Sequence, residues 1–350
     1  MSNKANYNLI ILARETEGYT QAELAEAIKI EQGTISKIEN AILEAPEETV
    51  KKISDLLDYP IQFFYQDWNP IRVEGFYRRK ISLPAKELKE CKGKMTVAER
   101  HFSSLVDALE LPKPNYPKWN VEVDGSPAMC AKFVREYWNL PKGRINNVTE
   151  LLEDKGFVII ELDLDGMDGF STFSDANFPI IFVNRNTPGD RDIFTKTEEA
   201  FHFIMHHGQK ISPDRDIEKE VKEAVSEFLV PYNEVEHQLT KLNLSKLVDM
   251  KQYWKVSMAA LISKAKNTGL ISNDQYKYIW KQMIFHGYKL NEPAPISRQK
   301  PSVMQEIFDT YIEDLKFTKK QICERLSFSE AKLDEWYFNK RVNRLKIIKK

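Results

Sequence analysis

The segment from Phe194 to His207, FTKTEEAFHFIMHH, carries the side chains of this sequence that are most able to do chemistry. On a helix of 3.6 residues per turn, Glu198, His202 and His206 recur every four residues and share one face, with Glu199 beside it. Carboxylates and imidazoles on one face can hold a divalent cation. The spacing is that of the zinc-binding H-E-x-x-H helix, in which two imidazoles bind the metal and the Glu between them activates its water.

The first imidazole of that motif is replaced here, because the string reads Glu198-Glu199-Ala200-Phe201-His202. A carboxylate can also bind zinc, so the replacement alters the charge, the geometry and the metal preference of a site without by itself abolishing it. The alternative is that these residues are solvated helix positions and that His202 is an ordinary hydrogen-bonded histidine.

Length and composition indicate a modular globular chain. At 350 residues it exceeds the usual size of one domain, so two or three are expected. No apolar run of 18 residues offers a membrane span, and the N-terminus lacks the apolar segment of a secretory signal, which together predict a cytoplasmic location. Three scattered cysteines, Cys91, Cys130 and Cys323, predict buried thiols rather than disulfides or a cysteine zinc site.

Charge is distributed unevenly, although the net charge is only -1. Residues 1–66 are rich in glutamate, whereas basic residues form two clusters elsewhere. Such runs are usually solvated surface or a loose tail, but either could contact phosphates. The clusters are Arg78, Arg79 and Lys80, and, at the end of the sequence, Arg341, Arg344, Lys346, Lys349 and Lys350.

The first 66 residues are predicted to form a bundle of short helices. Thr20 caps the second helix, and Glu23 three residues on completes a capping box. The string QGTISKIEN then forms a third helix with Ile35 and Ile38 buried and polar residues outside. Two short helices, a tight link and a third helix with a polar outer face predict a helix-turn-helix.

The string TQAELAEAIKIEQGTISKIEN resembles the XRE (Cro-like) family of DNA-binding domains. In that family the Gln that opens the second helix and the polar residues of the third helix contact DNA, and Gln and Asn can read adenine edges. A helix-turn-helix used only for packing or dimerisation is the alternative, which the acidic surroundings favour because phosphate neutralisation supplies most nonspecific affinity. The resemblance implies DNA contacts by Gln21, Gln32, Thr34, Ser36, Lys37 and Asn40.

The remaining sequence predicts helices around one small sheet. Residues 67–125 read as a connector with one helix, from about Thr96 to Leu109. Short strands are predicted at 157–160, 169–173 and 179–183, before the helix that carries Glu198. From residue 233 the pattern is almost wholly helical, and this extension could form a lid over the cleft.

Residues 128–231 resemble the ImmA/IrrE metallopeptidase family, and the tail to about residue 338 resembles the helical extension of its XRE-fused members. The matching strings are WNLPKGRINNVTELLEDKGF, IIFVNRN and RDIFT, followed by the E-x(10)-P spacing from Glu220 to Pro231. Carried over by position, the resemblance places the family's first zinc-binding His at Glu198, its general base at Glu199, its second His at His202 and its acidic ligand at Glu220.

A site with one imidazole and two carboxylates would bind zinc more weakly and lower the pKa of bound water less than a site with two imidazoles. A harder cation also becomes acceptable. We therefore expect either no cofactor or a weakly bound divalent metal, zinc or manganese. His206 could supply the second imidazole, but it should lie a turn further along, away from the point where Glu199 and Glu220 converge.

These observations predict a multidomain, mainly α protein with a small β-sheet, an α+β fold. The divisions are a helix-turn-helix bundle (1–66), a connector (67–125), a zincin-like metallopeptidase-like domain (126–232) and a helical C-terminal extension (233–350). The expected function is a DNA-binding transcriptional regulator, repressor or antitoxin-like, with a degenerate peptidase-like sensor domain. The resemblance implies a bacterial or phage setting, including prophage control.

The alternative function is a metal-dependent endopeptidase that cleaves a partner repressor, with Glu199 as general base. A third hypothesis is a protein that neutralises a toxin and represses their shared operon. The expected partners are a double-stranded DNA operator and a toxin, repressor or peptide, with no membrane involved. Palindromic operators of the family make a homodimer the default.

Overall fold

The computed structural model describes residues 4–70 and 83–338, so both basic clusters, Arg78 to Lys80 and Arg341 to Lys350, lie outside the described residues. The described residues form sixteen α-helices and one sheet of three strands. None of these helices combines the length and the apolar character that a bilayer crossing requires. The predicted fold class, mainly α with a small β-sheet, is confirmed.

Short helices build the N-terminal bundle. Thr20 and Glu23 form the predicted capping box. The Thr20 hydroxyl accepts a hydrogen bond from the backbone N–H of Glu23, and the Glu23 carboxylate accepts one from the backbone N–H of Thr20. Ile35 and Ile38 are buried, as their spacing predicted. The elements are α1 (Tyr7–Thr16), α2 (Gln21–Ala27), α3 (Gln32–Glu39), α4 (Glu47–Leu57) and a 3-10 helix (Ile61–Tyr65).

The connector helix is longer than predicted, because α5 spans Ala85–Val106 instead of beginning near Thr96. Its first turns are rich in lysine and lack a clear apolar stripe, so packing against α1 rather than periodicity stabilises them. The two helices meet at Gly93, where an added Cβ would lie only 2.9 Å from backbone atoms of Thr16. Only glycine permits this approach.

The sheet follows two helices and agrees with the predicted strands to within two residues at each end. Strands β1 and β3 run parallel, and β2 pairs antiparallel with β3, which gives the order β1-β3-β2. The elements are α6 (Pro127–Tyr137), α7 (Val148–Asp154), β1 (Val158–Leu162), β2 (Gly169–Phe173) and β3 (Pro179–Asn184).

The sheet separates two hydrophobic cores, because successive side chains of a strand point to opposite faces. Ile160 and Phe182 join a core shared with the N-terminal bundle and α5. Ile159 and Ile181 face a second core built from the later helices. All three cysteines are buried free thiols, as predicted.

The chain after the sheet is helical. The elements are α8 (Gly189–Met205), α9 (Ile217–Leu229), α10 (Tyr232–Leu239), α11 (Leu244–Trp254), α12 (Met258–Asn267), α13 (Asn273–Phe285), α14 (Val303–Asp309), α15 (Lys319–Leu326) and α16 (Glu330–Tyr337). A π-helical turn, Thr310–Asp314, extends α14.

The last three helices pack against the N-terminal bundle and α5, so this part of the extension does not form the lid that the sequence suggested. Tyr311 donates to the carbonyl of Leu105 at 2.8 Å. The ammonium of Lys332 lies 3.7 Å from the centre of the Tyr59 ring. A buried aromatic and a cation over a ring make this contact a stable part of the fold.

Candidate functional site

The site helix α8 is buried against the sheet. Glu198 and Glu199 are each 5% exposed or less, so they are not the solvated residues of the alternative interpretation, and His202 is buried to the same degree. The approach of α8 to β2 depends on Gly169, where an added Cβ would lie 2.5 Å from the Thr195 methyl group. This close approach places the polar face of α8 within reach of β2.

Both halves of α8 are anchored by charged groups. Lys196, which is fully buried, donates to Asp192 at 2.8 Å and to the carbonyl of Gln299 at 2.6 Å. Lys118 donates to the carbonyl of Phe203 at 2.7 Å near the other end. A cation that binds free carbonyls at a helix C-terminus also interacts favourably with the helix dipole.

Glu199, the expected general base, is held by the sheet. The hydroxyl of Ser171 on β2 donates to Oε2 of Glu199 at 2.7 Å. Glu198 lies one turn before His202 on the same helix, as the spacing predicted.

His206 does not occupy the position that the sequence suggested. Helix α8 ends at Met205, and His206 leaves the helical conformation with φ -127° and ψ -42°. Its Nδ1 lies 3.0 Å from Nδ1 of His202, and its Nε2 lies 3.1 Å from Oε2 of Glu220. The expectation that His206 lies away from Glu220 was wrong, because it assumed that the helix continues through this residue.

Glu220 is engaged by Arg215, from the loop before α9. Arg215 donates from Nε to Oε1 at 3.0 Å and from Nη2 to Oε2 at 2.7 Å, a bidentate ion pair. Burial raises the pKa of Glu220, but hydrogen bonds from Arg215 and His206 outweigh it and hold the pKa below its usual range. Burial lowers the pKa of His206 in spite of Glu220, which favours the neutral imidazole.

As arranged, the expected ligands do not fit a zinc ion. Glu220 contacts His206 and Arg215, whereas the Nε2 of His202 lies 3.7 Å from Oε1 of Glu218. Within residues 4–70 and 83–338, no three His, Cys, Asp or Glu side chains form a group suited to a metal ion. A carboxylate that accepts two hydrogen bonds from Arg215 and contacts His206 is less available to a zinc ion.

Three residues of this cluster, Ser171, Arg215 and Glu218, were not predicted from the sequence. Arg215 precedes Asp216, whose side chain caps α9, and the first turn of α9 carries both Glu218 and Glu220. Only Glu220 was singled out, because it alone matched the spacing to Pro231. Ser171 could not be assigned without the position of β2 against α8.

The polar residues of α3 form the expected outer face of the helix-turn-helix. Gln32, Lys37 and Asn40 are exposed, and Thr34 and Ser36 are half-buried. The amide of Asn40 donates to the carbonyl of Ser36 at 2.8 Å. That these side chains contact DNA stays a prediction, which their exposure allows.

Glu39 connects the three helices of this motif. Its carboxylate accepts two hydrogen bonds from Arg14 of α1, at 2.5 and 2.9 Å, and one from the side-chain amide of Gln21 of α2, at 2.7 Å. Gln21, one of the predicted DNA contacts, is therefore oriented by a buried residue of α3.

Gly33, the second residue of α3, has no atom within 4 Å of the position that a Cβ would occupy. Because glycine destabilises a helix relative to alanine, we expect Gly33→Ala to raise the free energy of unfolding by about 0.5–1 kcal/mol. The same methyl group should weaken DNA binding, since it projects from the surface that would approach the bases. Urea titration and DNA titration of the same variant test both effects, and raised stability with unchanged DNA affinity would contradict an approach of DNA at this residue.

Family models match two separate parts of the chain. Residues 10–64, which span most of α1 through the 3-10 helix, match the model described as helix-turn-helix. Residues 152–266, from α7 to the end of α12, match the model described as IrrE N-terminal-like domain. A comparison with curated proteins finds no match. The two matches confirm the predicted resemblance, with an XRE-type helix-turn-helix at residues 10–64 and an ImmA/IrrE-like domain at residues 152–266.

Proposed function

We propose that this protein is a DNA-binding transcriptional regulator whose ImmA/IrrE-like domain senses a ligand or a partner instead of cleaving peptides. The observation that carries the proposal is the bidentate pair between Arg215 and Glu220. At the position of the family's acidic ligand, a guanidinium supplies the positive charge that a metal ion would otherwise supply.

The neighbouring contacts support the same conclusion. A guanidinium is permanently charged and matches the geometry of a carboxylate, so it competes strongly for Glu220. His202 and His206 contact each other through their Nδ1 atoms. In each ring, one of the two nitrogens that could bind a metal is therefore already engaged. Together with Glu198 in place of an imidazole, these contacts favour a cluster that is stable without metal.

In this proposal the N-terminal domain binds an operator as a homodimer, and the peptidase-like domain binds a peptide or a partner protein such as a toxin or a repressor. Autoregulation, prophage control and antitoxin activity are the settings that fit such a fusion. The C-terminal helices contact both the N-terminal bundle and the sheet domain: Gln66 donates to Ser327 at 2.6 Å, and Arg185 donates to the carbonyl of Trp336 at 2.8 Å. Binding at one domain therefore has a direct structural route to the other.

A DNA titration of the full chain tests the proposal. We expect binding to a duplex from upstream of its own gene at low salt, and Gln32→Ala or Asn40→Ala should each weaken specific binding by roughly 5- to 150-fold, since a bidentate base contact contributes about 1–3 kcal/mol. Nonspecific binding should change little. Lys51→Gln on α4, which removes a surface charge outside the predicted interface, is the matched control. Absence of binding by the unaltered chain at low salt would refute the proposal.

A second candidate, a metal-dependent endopeptidase, is favoured by one observation: Glu199 is buried and is held by Ser171 beside the histidine cluster, where a general base would lie. This candidate requires stoichiometric metal in the purified chain and loss of partner cleavage in Glu199→Gln. If the purified chain holds no metal and binds DNA, the result favours the regulator over the endopeptidase.

A further inference from the structure

We infer that α5 extends the DNA-binding surface, with Lys86 and Lys89 contacting backbone phosphates beside the bases that α3 reads. This inference rests on the proposed DNA-binding function and deepens it, because it assigns phosphate contacts to residues outside the helix-turn-helix.

The lysines lie next to the predicted DNA contacts. Lys86 and Lys89 line one open groove together with Gln21, which opens α2, and Gln32, which opens α3. A duplex that contacts both glutamines crosses the mouth of this groove. Both ammonium groups reach over the bundle, since Lys86 Nζ lies 2.7 Å from Glu23 Oε1 and Lys89 Nζ lies 3.3 Å from Glu15 Oε1.

The position of these lysines relative to α3 is fixed by packing. Cys91 and Met95 of α5 are buried in the core that contains Leu9 and Ile35 of the bundle. The close approach of Gly93 to Thr16 further restricts the two helices. A charge held at a defined place on a rigid surface can contact a particular phosphate, which a charge on a loose tail cannot do.

Charge complementarity supports the assignment. Residues 4–70 contain six basic and twelve acidic side chains, so the bundle alone is a poor match for a polyanion. Helix α5 instead contains five basic and three acidic side chains. Phosphate neutralisation by lysine and arginine supplies most nonspecific DNA affinity, so a functional surface needs positive groups beside the bundle.

The ion pairs of the two lysines do not prevent this role. Both lysine side chains are about half exposed, at 47% and 53%. The Lys86–Glu23 pair is exposed on both sides, and such pairs contribute roughly 0–1 kcal/mol, so exchanging Glu23 for a phosphate costs little. Glu15 is buried, but Arg14 at 3.5 Å remains as its cationic partner when Lys89 turns to a phosphate. If the lysines only neutralise Glu23 and Glu15, removing them will affect DNA binding no more than removing distant charges does.

The test compares the full chain with the double variant Lys86→Gln, Lys89→Gln on the upstream duplex and on a scrambled duplex of equal length, between 50 and 200 mM salt. Each lost phosphate contact lowers the slope of log K against log salt by about 0.9, so we expect a decrease of about 1.8. Affinity for both duplexes should fall by the same factor, roughly 10- to 50-fold near 0.1 M salt, with an unchanged specificity ratio.

Two further variants make the test decisive. Lys277→Gln, Lys281→Gln on α13 removes the same charge from a distant exposed face and should leave the slope unchanged. The double variant Lys86→Arg, Lys89→Arg keeps both charges and should restore the salt slope of the unaltered chain. It therefore tests the role of the two charges even if the glutamine variant folds poorly. Binding by the unaltered chain with an unchanged slope in the glutamine variant, or an equal loss in the α13 variant, overturns the inference alone. No binding by the unaltered chain overturns the proposed function as well.

Discussion

Replacing Arg14 by methionine is expected to destabilise the N-terminal bundle by about 3–5 kcal/mol, the usual effect of removing one partner of a buried ion pair. The side chains of Arg14 and Glu39 are only 7% and 4% exposed. Without Arg14, the Glu39 carboxylate stays buried and keeps the hydrogen bond from the side-chain amide of Gln21. DNA binding should be lost at physiological temperature, since α1, α2 and α3 are joined through this carboxylate.

Hydrogen exchange of the α1–α3 amides measures this effect, because it reports the free energy of local opening. Lys52→Met is the matched control, as its pair with Glu48 is largely exposed and should contribute less than about 1 kcal/mol. The double variant Arg14→Met, Glu39→Leu should recover much of the stability, because the carboxylate that loses Arg14 is removed as well. The buried Glu15, which lies 3.5 Å from Arg14, keeps Lys89 at 3.3 Å in both variants. It should not recover DNA affinity, since Gln21 loses the acceptor that orients it. A loss below 1 kcal/mol in Arg14→Met would contradict this account.

The parts of the fold that depend on local chemistry could be predicted from the sequence. The capping box of Thr20 and Glu23 involves residues three positions apart, and the apolar run at 179–183 is typical of a buried strand. The buried faces of α3 followed from the spacing of Ile35 and Ile38. These signals are independent of the rest of the molecule.

The parts that depend on distant contacts could not be predicted in the same way. The start of α5 depends on packing against α1, and the last three helices return to the bundle through contacts such as that of Tyr311 with Leu105. The turn at His206 follows from the end of α8, where Lys118 binds the free carbonyls. The predicted domain boundaries stay a prediction, although one core joins the bundle, α5 and the last helices.

The second large effect is expected at the histidine cluster, where Arg215 should determine whether the cleft can hold zinc. Glu198→His restores the imidazole of the H-E-x-x-H motif, but Glu220 remains paired with Arg215 at 2.7 Å. We therefore expect Glu198→His alone to bind zinc weakly and the double variant Glu198→His, Arg215→Gln to bind it about 10- to 150-fold more tightly. This range corresponds to releasing a carboxylate from charged hydrogen bonds of about 1.5–3 kcal/mol.

Competition with a chromophoric chelator measures both affinities, and elemental analysis of each purified chain measures the metal content. Arg215→Lys in the Glu198→His background is the matched control: it keeps the charge but not the planar fork, so its zinc affinity should fall between the other two. Equal zinc affinity in Glu198→His with and without Arg215 would show that the guanidinium does not compete with metal. Tightly held zinc in the unaltered chain would refute the metal-free cluster and favour the endopeptidase.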